Sequence, residues 1–245
     1  MTASRLTPIR ALLLDLEGTT TPIDFVFKTL FPFAASHVGS FLRQNASDRE
    51  TQQLIAELRS TWSGDASAGA PVWLESTPAE KLASAAAYVH WLIARDSKIT
   101  PLKSLQGKIW QQGFRTGQLK GELYPDVAPA FQRWRDEGKR IAIFSSGSVL
   151  AQQLLFAHST SGDLSPSISA YFDTTTGPKR ESASYRAIAA DLRLSPREIL
   201  FVSDAVQELG AAAAANMRTA HSLRPGIAPQ QEPIHTVIHS FDDIR

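Results

Sequence analysis

The sequence contains no cysteine in its 245 residues. Disulfides, thiolate nucleophiles and zinc–thiolate sites are therefore excluded. Net charge is nearly absent too, since 25 basic against 24 acidic residues leave +1. So small a charge gives no electrostatic case for a nucleic-acid or membrane partner. No apolar stretch is expected to reach the length of a bilayer span, and residues 1–10 lack the apolar centre of a signal peptide. The histidines His37, His90, His158, His221, His235 and His239 fall in no metal-ligand spacing. No Gly-x-x-x-x-Gly-Lys-Ser/Thr loop supports nucleotide chemistry. What is present is 43% hydrophobic and 20% charged. That composition suits a soluble cytoplasmic protein with a sizeable core, either one large domain or a domain carrying an insertion.

Residues 11–16 form a short apolar run that ends in turn residues, which reads as a buried strand. Similar runs recur at 140–145, 198–204 and 217–223. Helical periodicity falls between them, at 127–137 (with Gly138 as its stop), 148–157, 182–192 and 205–216. Alternating strands and helices predict an α/β fold built on a doubly wound parallel sheet. Residues 25–118 break the rhythm, with helices expected at 27–44, 47–61, 77–95 and 101–115 and a softer joint at 63–71. They read as a helical-bundle cap inserted into an α/β core made of 1–24 and 119–245.

The first strand runs into "DLEGTTTP", where Asp15 and Glu17 point the same way from extended backbone. Two carboxylates facing one crevice repel each other and are costly to desolvate. A hard cation removes that cost, and Mg²⁺ prefers carboxylate and water oxygens. Gly18 permits a sharp turn, and Thr19, Thr20 and Thr21 offer hydroxyls and N–H groups for phosphate oxygens. One acid at a strand end is equally compatible with a turn or a helix cap. Two acids followed by glycine and threonines favour that reading less, though the segment alone is only moderately specific.

Other strand ends are polar as well. Ser145, Ser146, Gly147 and Ser148 precede a helix and form a candidate phosphate cradle, or simply an N-cap. Lys179, in "GPK", is placed to neutralise a phosphate or a nucleophile, or else is a solvated lysine. Asp204 ends another strand, with Glu208 one helical turn later. It could complete a magnesium site, with Glu208 bonded to a metal water or to Lys179, or it could be a helix cap. A local explanation accounts for each signal separately. None accounts for all four falling where a parallel sheet would gather them.

This order, and the segments "DLEGTTTPIDFV", "SSGS", "FDTTTGPKRESASY" and "SDAVQE", resemble the enolase-phosphatases of methionine salvage, in the haloacid dehalogenase superfamily. "LKSLQGKIW" and "LLFAHSTSGDL" are similar to that family too, so the likeness runs over nearly the whole chain. It implies Mg²⁺-dependent enolisation of 2,3-diketo-5-methylthiopentyl 1-phosphate, followed by dephosphorylation to an acireductone. It further implies Asp15 as nucleophile, Ser145, Ser146 and Lys179 on the phosphate, and Asp15, the Glu17 position and Asp204 around the metal. Glu17 stands where the common superfamily pattern has Asp, and it is expected to assist enolisation or water activation. Lys98 is the cap's candidate base by the same resemblance, and Phe25 and Trp110 are candidates to enclose the methylthio end. The partner implied is a small phosphorylated diketone, and the family suggests a monomer. A plain phosphatase or phosphonatase of the superfamily, and a phosphoacceptor receiver domain, are the rival readings. Against the receiver stands the long insertion, because a receiver needs an open aspartate.

Overall fold

A computed structural model describes residues 8–65, 69–224 and 234–244. The expectations for residues 1–7 and for the middle of the 63–71 joint lie outside the described residues. The chain divides into two compact units, Met1–Ile23 with Lys120–Arg245, and Asp24–Leu119.

The first unit holds a six-stranded sheet in the order β3-β2-β1-β4-β5-β6, with every pairing parallel. The strands are β1 (Ala11–Leu14), β2 (Arg140–Phe144), β3 (Ala170–Phe172), β4 (Ile199–Ser203), β5 (Arg218–Ser222) and β6 (Thr236–Ile238). Every residue of β1 has 0% exposure. A central strand covered on both faces needs no alternation, which is why unbroken leucines suit it. From β1 the chain builds outward through β2 and β3, then returns to the other side of β1 as β4. That reversal opens a crevice at the carboxyl ends of β1 and β4, where ligands bind in such sheets.

Helices Val127–Asp136, Val149–Ala157, Ser182–Asp191 and Val206–Ala214 connect the strands. Gly138, at φ +72°, ends the first of them. There Gly138 N–H donates to Arg135 O at 2.9 Å and Lys139 N–H to Trp134 O at 2.8 Å, a Schellman closure that uses up the orphan carbonyls. One side of the sheet packs Leu13, Phe144, Phe201, Tyr185, Ile188 and Leu209 into a continuous core. β3 and β6 were not expected from sequence. At three residues each, they are too short to show a period.

The second unit consists of helices Ile23–Gln44, Arg49–Asp65, Pro78–Ala94 and Thr100–Arg115. Its first helix contains a π turn, Val26–Leu30. Thr77 and Glu80 form a capping box at the start of the third, satisfying two otherwise orphaned N–H groups. Trp62, Trp73, Tyr88 and Trp91 follow one another with centroids 5.8–6.2 Å apart.

One expectation needs correction here. Helix Ile23–Gln44 has 22 residues and an 18-residue stretch with a mean hydropathy of 1.2, and so passes the length and composition test for a membrane span. The sequence reading missed it because Asp24, Lys28 and Arg43 interrupt the apolar run. The same helix contributes Val38 and Leu42, both at 0% exposure, to the unit's core. The helix expected at 47–61 also runs on to Asp65.

Candidate active site

The carboxyl end of β1 delivers Asp15 into the crevice, 3% exposed. Its N–H still belongs to the sheet, donating to Val202 O at 2.9 Å. Both carboxylate oxygens are held. Oδ1 accepts from Leu16 N–H at 2.7 Å and from Lys179 Nζ at 2.6 Å. Oδ2 accepts from Ser203 Oγ at 2.7 Å. The side chain is thus fixed in one rotamer before any substrate arrives.

Lys179 lies between Asp15 and Glu208, 2.7 Å from Glu208 Oε2, and its side chain is only 9% exposed. Burial works against its charge, but attraction from Asp15 and Glu208 outweighs that and holds the ammonium above its usual range. The backbone carrying it is fixed in turn. Tyr185 Oη donates to Lys179 O at 2.7 Å and Ser184 Oγ to Pro178 O at 2.7 Å. The Tyr185 ring is wedged edge-on between Phe144 and Phe201.

Ser203 closes a ring. Its hydroxyl lies 2.7 Å from Asp15 Oδ2 and 3.2 Å from Glu208 Oε2, while Glu208 holds the lysine that holds Asp15. Burial and the nearby Asp15 charge push Glu208 up to about 7, against the opposing pull of Lys179. Asp204 rises to about 6, first through burial and then through the negative field of Asp15 and Glu17. Asp204 is not the cap of the helix after it, which begins at Val206 with Ala205 as cap residue. His221 Nε2, 3.1 Å from Asp204 O, anchors its backbone from β5.

Glu17 sits half-buried at the turn, and its Oε2 accepts from Ser145 Oγ at 3.3 Å. Ser145 Oγ also accepts from Gly147 N–H at 3.0 Å, so β2's end is tied to β1's. Ser146 is half-buried in that turn, and Ser148 caps the helix through Ala151 N–H at 3.4 Å. Asp15 and Lys179 belong to one hydrogen-bonded ring, Glu17 and Ser145 form a further pair, and Asp204 feels the charges of Asp15, Lys179 and Glu17 from the end of the neighbouring strand.

The expectation for the three threonines fails. Thr19, Thr20 and Thr21 are all 0% exposed. Thr20 Oγ1 donates to Asp15 O and Leu16 O at 3.2 and 3.1 Å, and Thr21 Oγ1 donates to Glu122 O. Thr20 thus satisfies carbonyls of the turn itself and Thr21 one outside it. Thr19 Oγ1 is buried without a hydrogen-bond partner among the described residues, and none of the three hydroxyls is exposed to a ligand.

Lys98 belongs to the helical unit. Its ammonium is 2.5 Å from Asp96 Oδ1 and 5.4 Å from the Phe31 ring centroid, with 55% of the side chain exposed. Phe25 and Trp110 are 2% and 7% exposed, and Trp110 Nε1 donates to Leu30 O at 2.8 Å. These two rings are packed within the fold and do not offer a free apolar surface.

Sequence reasoning overlooked Ser203 as a site residue. The register pairs Leu14 with Val202, so the next step along both strands sets Asp15 beside Ser203. Pairing of distant strands, which one sequence does not display, was the missing signal. The donors suited to a cation are all oxygen, from Asp15 and Asp204 with the Glu17 position beside them. Gly18, at φ +68°, leaves no space for a Cβ against the Asp204 carboxylate. Among the described residues no group of three His, Cys, Asp or Glu side chains converges as a metal cage. Mg²⁺ fits this arrangement because it binds through one or two carboxylates and keeps its remaining positions for water and phosphate oxygen.

A buried aspartate on the central strand of a parallel sheet, gripped by a lysine, has the chemistry of a hydrolase that works through a carboxylate nucleophile. A model of the haloacid dehalogenase-like hydrolases matches residues 9–216. Enolase-phosphatase E1 of Synechococcus elongatus is 55% identical over 96% of this chain and 98% of its own. The protein of that name from Sorangium cellulosum is 48% identical over 97% of each. The crystal structure of the UTR4 protein of Saccharomyces cerevisiae superposes with a TM-score of 0.79 at 32% identity, covering 96% of this chain and all of that one. The chain belongs to the haloacid dehalogenase-like hydrolases and, within them, to the enolase-phosphatases.

Proposed function

We propose that this enzyme enolises 2,3-diketo-5-methylthiopentyl 1-phosphate and then hydrolyses the enol phosphate to the acireductone and inorganic phosphate. The carrying observation is Asp15, with Lys179 on one oxygen and Ser203 on the other, 2.6 and 2.7 Å away. We assign the α/β unit to phosphoryl transfer and the helical unit to the role of cap. The site takes a small phosphorylated diketone, and we place the enzyme in the cytoplasm as a monomer.

In the first half-reaction a base removes a proton from carbon while the neighbouring ketone oxygen gains one. Lys98 is the proposed base. Its ammonium must leave Asp96 and shed a proton before it can accept one. In the second, an Asp15 oxygen attacks phosphorus, the bond from phosphorus to the enediol oxygen breaks, and an aspartyl-phosphate forms. Lys179, with Ser145 and Ser146, holds the phosphoryl oxygens and offsets their charge. Mg²⁺, held by Asp15, the Glu17 position and Asp204, supplies charge neutralisation between nucleophile and phosphate when bound. Water then cleaves the aspartyl-phosphate and restores Asp15. Glu17 assists enolisation or activates that water. A strong leaving-group acid is unnecessary here, because the departing enediolate spreads its charge onto the adjacent ketone.

The test is an absorbance time course with the diketone phosphate, with and without Mg²⁺, following enol appearance and phosphate release together. Enol should precede phosphate, and both should turn over repeatedly. Efficient hydrolysis of simple sugar phosphates without enol formation would point to a plain phosphatase. A long-lived phosphoaspartate without turnover would point to a receiver.

A further inference from the structure

The 18–21 turn after the nucleophile is tied down at every carbonyl. Gly18 O accepts from Ser222 Oγ at 3.3 Å, Thr20 O from Tyr124 N–H at 3.0 Å and Thr21 O from Gly18 N–H at 2.9 Å. Thr19 O is held by a guanidinium, with Arg224 Nε donating at 2.9 Å and Nη2 donating beside it. Arg224 is 3% exposed. Its remaining nitrogen, Nη1, lies 2.6 Å from Asp126 Oδ2. The guanidinium carbon sits 4.3 Å from the Tyr124 ring centroid and 4.6 Å from that of Phe241. Asp126 Oδ2 also accepts from Phe241 N–H at 2.6 Å and Ser240 Oγ at 3.2 Å. Arginine suits this place because its planar fork serves a carbonyl and a carboxylate at once and stacks on rings.

Burying an ion pair is costly, and apolar residues of similar volume often serve stability equally well. What this pair supplies is position. The carbonyl it grips lies two residues past Glu17, and the turn folds back so that Thr21 pairs with Glu17 as an isolated bridge. Glu17 in turn accepts from Ser145 Oγ at 3.3 Å. We propose that Arg224, anchored by Asp126, is a positioning residue for Glu17: it fixes the turn from which the Glu17 side chain reaches the reacting centre. The proposal rests on the role assigned to Glu17 above.

The test is a double-mutant cycle of Arg224→Lys with Glu17→Gln. Lysine keeps a charge opposite Asp126 but cannot fork onto Thr19 O. Arg224→Lys should lower kcat for phosphate release by about 10- to 30-fold, the range of coupled neighbours, with KM within about twofold. In the Glu17→Gln background the same change should cost nothing further. A residue that only holds the fold would lower the thermal midpoint and multiply with Glu17→Gln, and that result overturns the proposal. So does a wild-type kcat in Arg224→Lys. Should the lysine variant not fold, Asp126→Asn enters the same cycle, with non-additivity expected and additivity overturning the idea. If the wild type hydrolyses simple phosphate esters but leaves the diketone phosphate untouched, the proposed function fails. The cycle run on p-nitrophenyl phosphate then still decides the role of Arg224.

Discussion

Asp15 and Lys98 are the groups proposed to start the two half-reactions, and their surroundings differ sharply. Asp15 is buried on a strand end, with donors on both oxygens at 2.6–2.7 Å. Lys98 is 55% exposed and paired with a neighbour two residues away. The contrast follows from the chemistry required. In-line attack on phosphorus gains most from a nucleophile whose freedom is already spent, because misplacement by an ångström is costly. A rigid central strand supplies that. A proton transfer at carbon tolerates a group that arrives on a long flexible stem. The α/β unit therefore carries its geometry ready-made, whereas the proposed base of the helical unit sits exposed in a pair with Asp96.

The largest effect expected from this contrast is Asp15→Asn. Phosphate release should fall on the order of 10⁶-fold, as when a nucleophile is removed, while enol still accumulates by absorbance. Equal loss of both signals would break the division between the two regions. Lys179→Met comes next, with kcat for phosphate release falling roughly 10²- to 10³-fold, the usual cost of a lost electrostatic donor. Lys98→Ala should do the reverse, slowing enol appearance by on the order of 10²-fold and leaving hydrolysis of a simple phosphate ester untouched. Undiminished enol formation in Lys98→Ala would show that the base lies elsewhere and that the rigid unit supplies both groups.

How much of this was readable in the residues depends on the range of the interaction. The β1 leucines and the Gly138 stop are local signals, and the structure carries each where periodicity and capping place it, whereas Thr77, read as the first residue of a helix, caps it instead. The gathering of Asp15, Ser145, Lys179 and Asp204 was readable because a parallel sheet sends all its strand ends to one side. Ser203 and Arg224 were not, because their value lies in register and in contacts across 188 and 205 residues of chain. The inward turn of the threonines was hidden for a related reason. A hydroxyl beside a candidate phosphate site looks the same in sequence whether it faces the ligand or the backbone. Lys98 was singled out by resemblance alone, and nothing in its local pattern separates it from a surface lysine.

The smallest effect concerns stability, and it tests whether the nucleophile's crevice is strained without its cation. Asp204 moves from 3.8 in model peptides up to about 6 in the fold. The folded state therefore holds this proton more tightly than the unfolded chain. The associated stabilisation is fully present below pH 3.8 and is lost as pH rises to about 6. Glu208, moved from 4.5 to about 7, acts in the same sense over a slightly higher window. In chelator, the wild type should lose thermal stability from pH 4 to pH 7 through these groups. Asp204→Asn removes one share of that loss. It should melt about 2–4 °C above wild type at pH 7, corresponding to about 1 kcal/mol after allowing for its partial exposure. Near pH 4 the two should converge. Added Mg²⁺ should then raise the wild-type midpoint at pH 7 and leave that of the Asn variant nearly unchanged, since only a state that binds the ion gains from it. A variant that melts lower than wild type at pH 7 in chelator would mean that the Asp204 carboxylate is stabilised by its own neighbours. The crowding of acids at this strand end would then impose no strain for a cation to relieve.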